Sequence, residues 1–140
     1  MIDPLARGED ILTGRHANPA IPILHGAARA YELTGDPANR RAVESFWDIV
    51  VTSRYLVTGA DANNREYWPQ PDALEATLSA STQETCATYN WLRLAEYLFR
   101  WTGNPSYGDA YERGHVNGIL AAQHPDTGMF VYFMPMRPGP

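Results

Sequence analysis

Apolar residues recur at helical spacing in four stretches of this 140-residue chain, and the rhythm is lost between them. Ile21, Leu24, Ala28 and Tyr31 predict a first helix over 20–33. Gly35 is its stop signal, and Asp36-Pro37 offers the next helix a capping side chain and a first-turn proline. That second helix runs to residue 53 through Val43, Phe46, Trp47, Val50 and Val51. A third, over 85–101, carries Tyr89, Leu92, Leu98 and Phe99, and a fourth, over 105–122, carries Tyr107, Tyr111, Ile119 and Leu120. Residues 125–128 then read as a turn, 129–133 as a buried strand, and 137–140 as the opening of a hairpin.

The two helix pairs echo each other. Thr34-Gly35-Asp36-Pro37 joins the first pair and Thr102-Gly103-Asn104-Pro105 the second; Ala42 and Glu44 recur in register as Ala110 and Glu112, and Tyr31 falls opposite Phe99. Hairpins of one design suggest a repeating helix-pair architecture such as an α/α toroid, although this turn chemistry also joins unrelated antiparallel helices. The expected fold is therefore all-α, with helical hairpins, a long polar loop over 58–81 and a terminal strand. A loop beyond ~12–15 residues in a compact domain is usually functional. This one sets Glu66, Tyr67 and Trp68 among polar residues, a composition suited to a pocket rim.

Charge narrows the partners. Eleven basic residues scattered among sixteen acidic ones, net −5, argue against nucleic acid and suit a neutral or weakly polar substrate. No run of about 18 apolar residues exists to span a membrane, and the opening residues lack a signal-peptide pattern. Cys86 is the sole cysteine, which excludes an internal disulfide and leans toward a reducing cytosol; the compartment stays open.

Few residues could carry chemistry. Glu84 and Cys86 could ligate one zinc, but side chains two apart on a regular helix diverge. Both would reach one ion only where the backbone is extended or just entering the helix. The competing reading is a capping box, with Ser81 as N-cap, Glu84 three residues on, and Cys86 as a small buried residue. Glu66, beside two aromatics, could be desolvated into a general acid, or could be a solvated loop residue. His16, with Asn18 at the entrance of the first helix, could bond sugar hydroxyls or act as a local cap. Trp68 is the candidate to stack on a sugar face, while Trp47, Trp91 and Trp101 have core spacing. His25 and His115 read as packing partners, and His124 as an exposed turn residue.

Taken together, the stretches LTGRHANPAIP, ARAYELTGDP, FWDIVV, REYW, QETCATYN, LFRWTGNPSYGDAYERGHVNGILAAQ and GMFVYFMPM resemble the β-L-arabinofuranosidases of glycoside hydrolase family 127. They occur in family order from about residue 3 to the end. The resemblance implies that 1–140 is part of one α/α-toroid catalytic domain. The toroid's other helices would come before this segment and a β-sandwich after it, so the rest of the parent domain is an expected partner. It implies a retaining exo-hydrolase acting on a terminal sugar of a glycan, with a zinc-bound cysteine as nucleophile. Position by position, Glu66 corresponds to the acid/base, Glu84 and Cys86 to two zinc ligands, and His16 to a sugar contact. The family's nucleophilic cysteine and a further zinc-ligating cysteine lie beyond the strand at 129–133, leaving half a metal site here. The loop also carries one residue more than the family pattern before Arg65.

The leading expectation is thus a fragment of a zinc-assisted retaining glycosidase, inactive by itself. The alternative is a non-catalytic helical module that binds carbohydrate or protein through the 58–81 loop. A cysteine hydrolase built on Cys86, His16 and Asn18 is disfavoured, because nothing around Cys86 resembles an activated nucleophile's strand-to-helix turn.

Overall fold

A computed structural model describes residues 1–60 and 65–137. Its elements in chain order are α1 (Ile2–Ala6), α2 (Ala17–Thr34), α3 (Pro37–Ser53), α4 (Leu74–Thr77), β1 (Gln83–Glu84), α5 (Thr85–Thr102), α6 (Pro105–Gly114) and β2 (Phe133–Met134). Beyond α6 the chain continues as a π-turn, His115–Ile119, and a 3-10 turn, Leu120–Ala122. The protein is mostly helical, and among the described residues the strands form one two-stranded antiparallel pair. No described helix is long and apolar enough to cross a membrane.

The two predicted hairpins form, offset by 68 positions (Ala17 to Thr85, Thr34 to Thr102). Their turns match bond for bond. Gly35 and Gly103 are left-handed, at φ +73° and +66°, and donate to the carbonyls of Tyr31 and Phe99, each at 2.8 Å. Glycine adopts this conformation without the steric cost a Cβ would add. Asp36 then caps α3 by accepting from the Ala38 amide at 2.9 Å, and Asn104 caps α6 by accepting from Ser106 at 3.0 Å. Proline follows each cap at the first turn, where no amide bond is lost.

The core lies where these helices meet. α2 packs on both α3 and α5, α1 closes over α3, and α6 lies on α5. Buried Ile21, Leu24, Val43, Phe46, Leu94 and Leu98 fill the space between them. Trp47 of α3 stacks on Trp91 of α5, with centroids 3.9 Å apart and planes 7° from parallel. Arg100 of the second hairpin pairs with Glu32 at the matched position of the first.

Two expectations are revised here. The fourth helical stretch does reach Ala122, but its α-helical ladder ends at Gly114 and shifts to π and then 3-10 geometry. Gly114 presses against Gly59, and Gly118 against Thr88 and Gln83, at distances a Cβ would not permit. Nor is 129–133 a buried strand. Only Phe133 and Met134 pair with β1, and Met129, Phe130, Val131 and Tyr132 are 50–71% exposed. Backbone bonds such as Val131 N–H to the Ala122 carbonyl hold that segment. Within the described residues its apolar outer face stays uncovered. The hairpin expected over 137–140 lies, past Arg137, outside the described residues, as does the extra loop residue expected before Arg65.

Candidate active site

Three short segments converge at the entrances of α2 and α5. The first is the approach to α2. Residues 14–17 pair with 66–68: Gly14 N–H donates to the Trp68 carbonyl (2.9 Å), Trp68 N–H to Arg15 (3.0 Å) and Ala17 N–H to Glu66 (2.7 Å). This ribbon fixes His16 opposite Tyr67. The second segment is β1 leading into α5. The third is β2 and the residue before it, since Gln83 pairs with Met134 and Glu84 with Phe133, while Thr85 N–H donates to the Tyr132 carbonyl at 3.2 Å.

His16 and Glu84 are the N-cap residues of α2 and α5, with the same extended backbone and the same repeat offset. Neither side chain caps its own helix. The two turn instead toward one cluster. His16 Nε2 donates to Glu66 Oε2 at 2.8 Å, and the Tyr132 hydroxyl donates to Glu66 Oε1 at 2.7 Å. That hydroxyl also lies 3.1 Å from Glu84 Oε1 and 3.4 Å from the Cys86 sulfur. Cys86 Sγ donates to Glu84 Oε1 at 2.8 Å. Glu84 is extended (φ −111°, ψ 143°) and Cys86 lies in the first helical turn, so the two side chains meet and do not diverge as they would within a regular helix. The capping box is not formed, because Glu84 and not Ser81 is the N-cap.

The environments of these groups diverge. Burial raises the Glu84 carboxyl, with the charge of Glu66 adding to it, against opposing hydrogen bonds from Cys86 and Tyr132. Burial and the bond to Glu84 push the Cys86 thiol up to about 11, so it is a protonated donor here. Cys86 stands just past a strand-to-helix junction, but its thiol is shifted away from an activated nucleophile. The Tyr132 hydroxyl is held far above its ordinary range by its bonds to Cys86 and Glu66.

Glu66 departs from expectation. The Tyr132 bond lowers its carboxyl, with His16 adding to that, and this outweighs the raising effect of burial. The two aromatics do not desolvate it as predicted. Trp68 turns into the core, 2% exposed, its ring edge-on to Phe46 at 5.5 Å. A ring so enclosed offers no face to a sugar, so the stacking role foreseen for Trp68 is corrected. The exposed aromatic is Tyr67, 5.0 Å from the His16 ring. Tyr132 was missed altogether; its only sequence signal was a polar hydroxyl within an apolar run. Asn18 turns aside to accept from Asn90 (2.7 Å), and His25 Nε2 donates to the Asn90 carbonyl at 2.9 Å.

Glu84 Oε2 is buried, and among the described residues no hydrogen-bond partner meets it. Such an atom is costly unless something meets it. A carboxylate with a free buried oxygen beside a thiol suits a zinc ion, whose ligands commonly include both groups. Among the described residues no three His, Cys, Asp or Glu side chains are placed to hold a metal, so Glu84 and Cys86 would supply only part of a ligand set.

A helical-hairpin domain that gathers two carboxylates, an imidazole, a phenol and a thiol at the mouths of two repeat-related helices has the parts of a hydrolytic site. The chain belongs to the family described as β-L-arabinofuranosidase, GH127 catalytic domain, whose family model matches residues 1–140. Among solved structures it is similar to a GH127 β-arabinofuranosidase, with TM-score 0.80 and 24% identity over 96% of this chain and 23% of the other. A glycoside hydrolase matches with TM-score 0.80 and 22% identity over 96% and 26% of the two chains. A GH127 β-L-arabinofuranosidase from Geobacillus stearothermophilus T6 follows, with TM-score 0.76 and 19% identity over 94% and 20%. The chain thus spans about a quarter of the length of these structures, and the likeness speaks for the fold. No curated protein matches it by sequence.

Proposed function

We propose that this chain carries part of the active site of a retaining glycoside hydrolase that releases terminal β-L-arabinofuranose from a glycan. One observation supports the reading above others: the Tyr132 hydroxyl joins the Glu66 and Glu84 carboxylates, with the Cys86 sulfur 2.8 Å from Glu84. The hairpins are, in this reading, a sector of an α/α toroid.

Glu66 is the acid/base. In the arrangement described it is the carboxylate, the form that takes a proton from water in the second step of a retaining mechanism. To protonate the leaving oxygen in the first step it must gain a proton. A sugar that displaces the Tyr132 hydroxyl removes the main interaction opposing that gain. His16 orients the carboxylate and offers the sugar a contact. Glu84 and Cys86 would hold zinc, which when bound supplies a positive charge that favours thiolate over thiol. Cys86 is the chain's sole cysteine, so with its sulfur used as a ligand no second thiol remains here for a covalent step.

Zinc uptake by the 140-residue protein tests the metal reading. Equilibrium dialysis should show weak binding that strengthens with rising pH, because the thiol must lose its proton. Glu84→Ala and Cys86→Ala should each reduce affinity by about tenfold or more. Uptake indifferent to both substitutions overturns the assignment. So does robust cleavage of an aryl arabinofuranoside by this chain that Cys86→Ser abolishes, since turnover is expected to be negligible.

A further inference from the structure

Arg54, at the C-terminus of α3, is completely buried, and none of the chemistry above uses it. Its guanidinium is spent on both arms of the ribbon that carries His16 and Glu66. Nε donates to the Pro69 carbonyl at 3.0 Å, three residues beyond Glu66. Nη2 donates to Thr13 Oγ1 at 3.2 Å, three residues before His16, and to Asp10 Oδ2 at 2.9 Å. Nη1 donates to Ser53 Oγ at 3.1 Å, anchoring the fork to its own helix.

We propose that Arg54 is a positioning residue for the His16–Glu66 pair, acting through the backbone of both arms. The proposal rests on the reading of Glu66 as acid/base, but the geometry it explains is independent of that reading. The arms are irregular chain, joined by few backbone bonds. Arg65 and Glu66 moreover occupy left-handed backbone at φ +48° and +77°, which non-glycine residues adopt only under constraint. A charged fork buried at the foot of the ribbon supplies such a constraint. Arginine suits the task because its rigid donors point in several directions at once, whereas a lysine ammonium is a single point of charge.

Amide hydrogen exchange and imidazole nitrogen shifts on the 140-residue protein test this. Arg54→Met should speed exchange of the Ala17 and Trp68 amides by about tenfold or more, while the α5 amides keep their protection. The His16 ring, held with its proton on Nε2 by Glu66, should become a mixture of tautomers. Arg54→Lys should behave like Arg54→Met. Should Arg54→Met fail to fold, Thr13→Val, which removes the Arg54 bond together with the longer bond from Thr13 Oγ1 to Gln70 Oε1 (3.5 Å), should give the same local pattern in weaker form. Unchanged Ala17 and Trp68 exchange with a single His16 tautomer overturns the proposal, in Thr13→Val as in Arg54→Met. A folded variant losing protection evenly throughout overturns it equally, since Arg54 would then be a general stabiliser. No substrate enters these measurements, so they can fail while the glycosidase reading stands.

Discussion

The two hairpins share a turn down to its individual hydrogen bonds, yet their second helices part company within ten residues. Where α3 places buried Phe46 and Val50, the matched positions of the second hairpin hold Gly114 and Gly118. α3 fills its groove with side chains and runs on to Ser53. The second hairpin puts no side chain of its own there, and neighbouring backbone and side chains enter instead. The Gly59 carbonyl lies 2.7 Å from where a Gly114 Cβ would stand, and the Gln83 and Thr88 side chains close on Gly118. Turn geometry is thus a local matter, settled by four residues, while helix continuity is settled by what packs alongside. The difference has a use: Gln83, next to Glu84, can sit flush against the π-turn.

The largest effects should separate the hairpins by the sign of the volume change. Phe46→Ala opens a cavity and should cost about 3–5 kcal/mol in urea unfolding. Gly114→Ala at the matched position adds one carbon and should still cost about 1–3 kcal/mol, because the obstruction is backbone. A neutral Gly114→Ala would show that the groove is not filled by chain. The caps come next and should not discriminate: Asp36→Ala and Asn104→Ala are each expected to cost about 1 kcal/mol. A large inequality between them would break the equivalence of the turns.

The smallest effect is confined to one hairpin. Cys86 falls where the first hairpin has Asn18, so only the second titrates there. The folded thiol holds its proton more tightly than its ordinary value of 9.0, with a folded value of about 11. Its contribution to stability is therefore complete below pH 9 and lost as pH rises toward 11. Subtracting the alkaline unfolding profile of Cys86→Ala from that of the wild type should isolate this loss. A difference that does not change across that interval would mean the thiol is solvated and not bonded to Glu84.

Much of this fold was legible because its signals are short in range. Gly35, Asp36 and Pro37 act on neighbours, and so do their counterparts, which is why α2, α3 and α5 fall close to where spacing puts them. The gathering of His16, Glu66, Glu84 and Cys86 came from family resemblance, since no local pattern joins residues 16 and 84. Tyr132 enters the cluster through the pairing of β1 with β2 and the adjoining bond from Thr85 N–H, a contact 46 positions from Cys86 that leaves no periodic trace. Trp68 went astray for a related reason. In a loop without rhythm, the way an indole turns is decided by core residues distant in sequence, Phe46 among them. The run 129–133 was read as buried from its apolarity, yet burial needs a partner surface, and none covers it among the described residues.

The left-handed backbone at Glu66 leaves an evolutionary fingerprint. Asparagine or glycine would occupy that conformation at less cost, and a lineage released from any need for an acid there should drift toward one of them. Gly35 and Gly103, whose conformations serve the architecture alone, should stay fixed under the same relaxation. A carboxylate retained at 66 across divergent sequences would then be the record of chemistry still under selection.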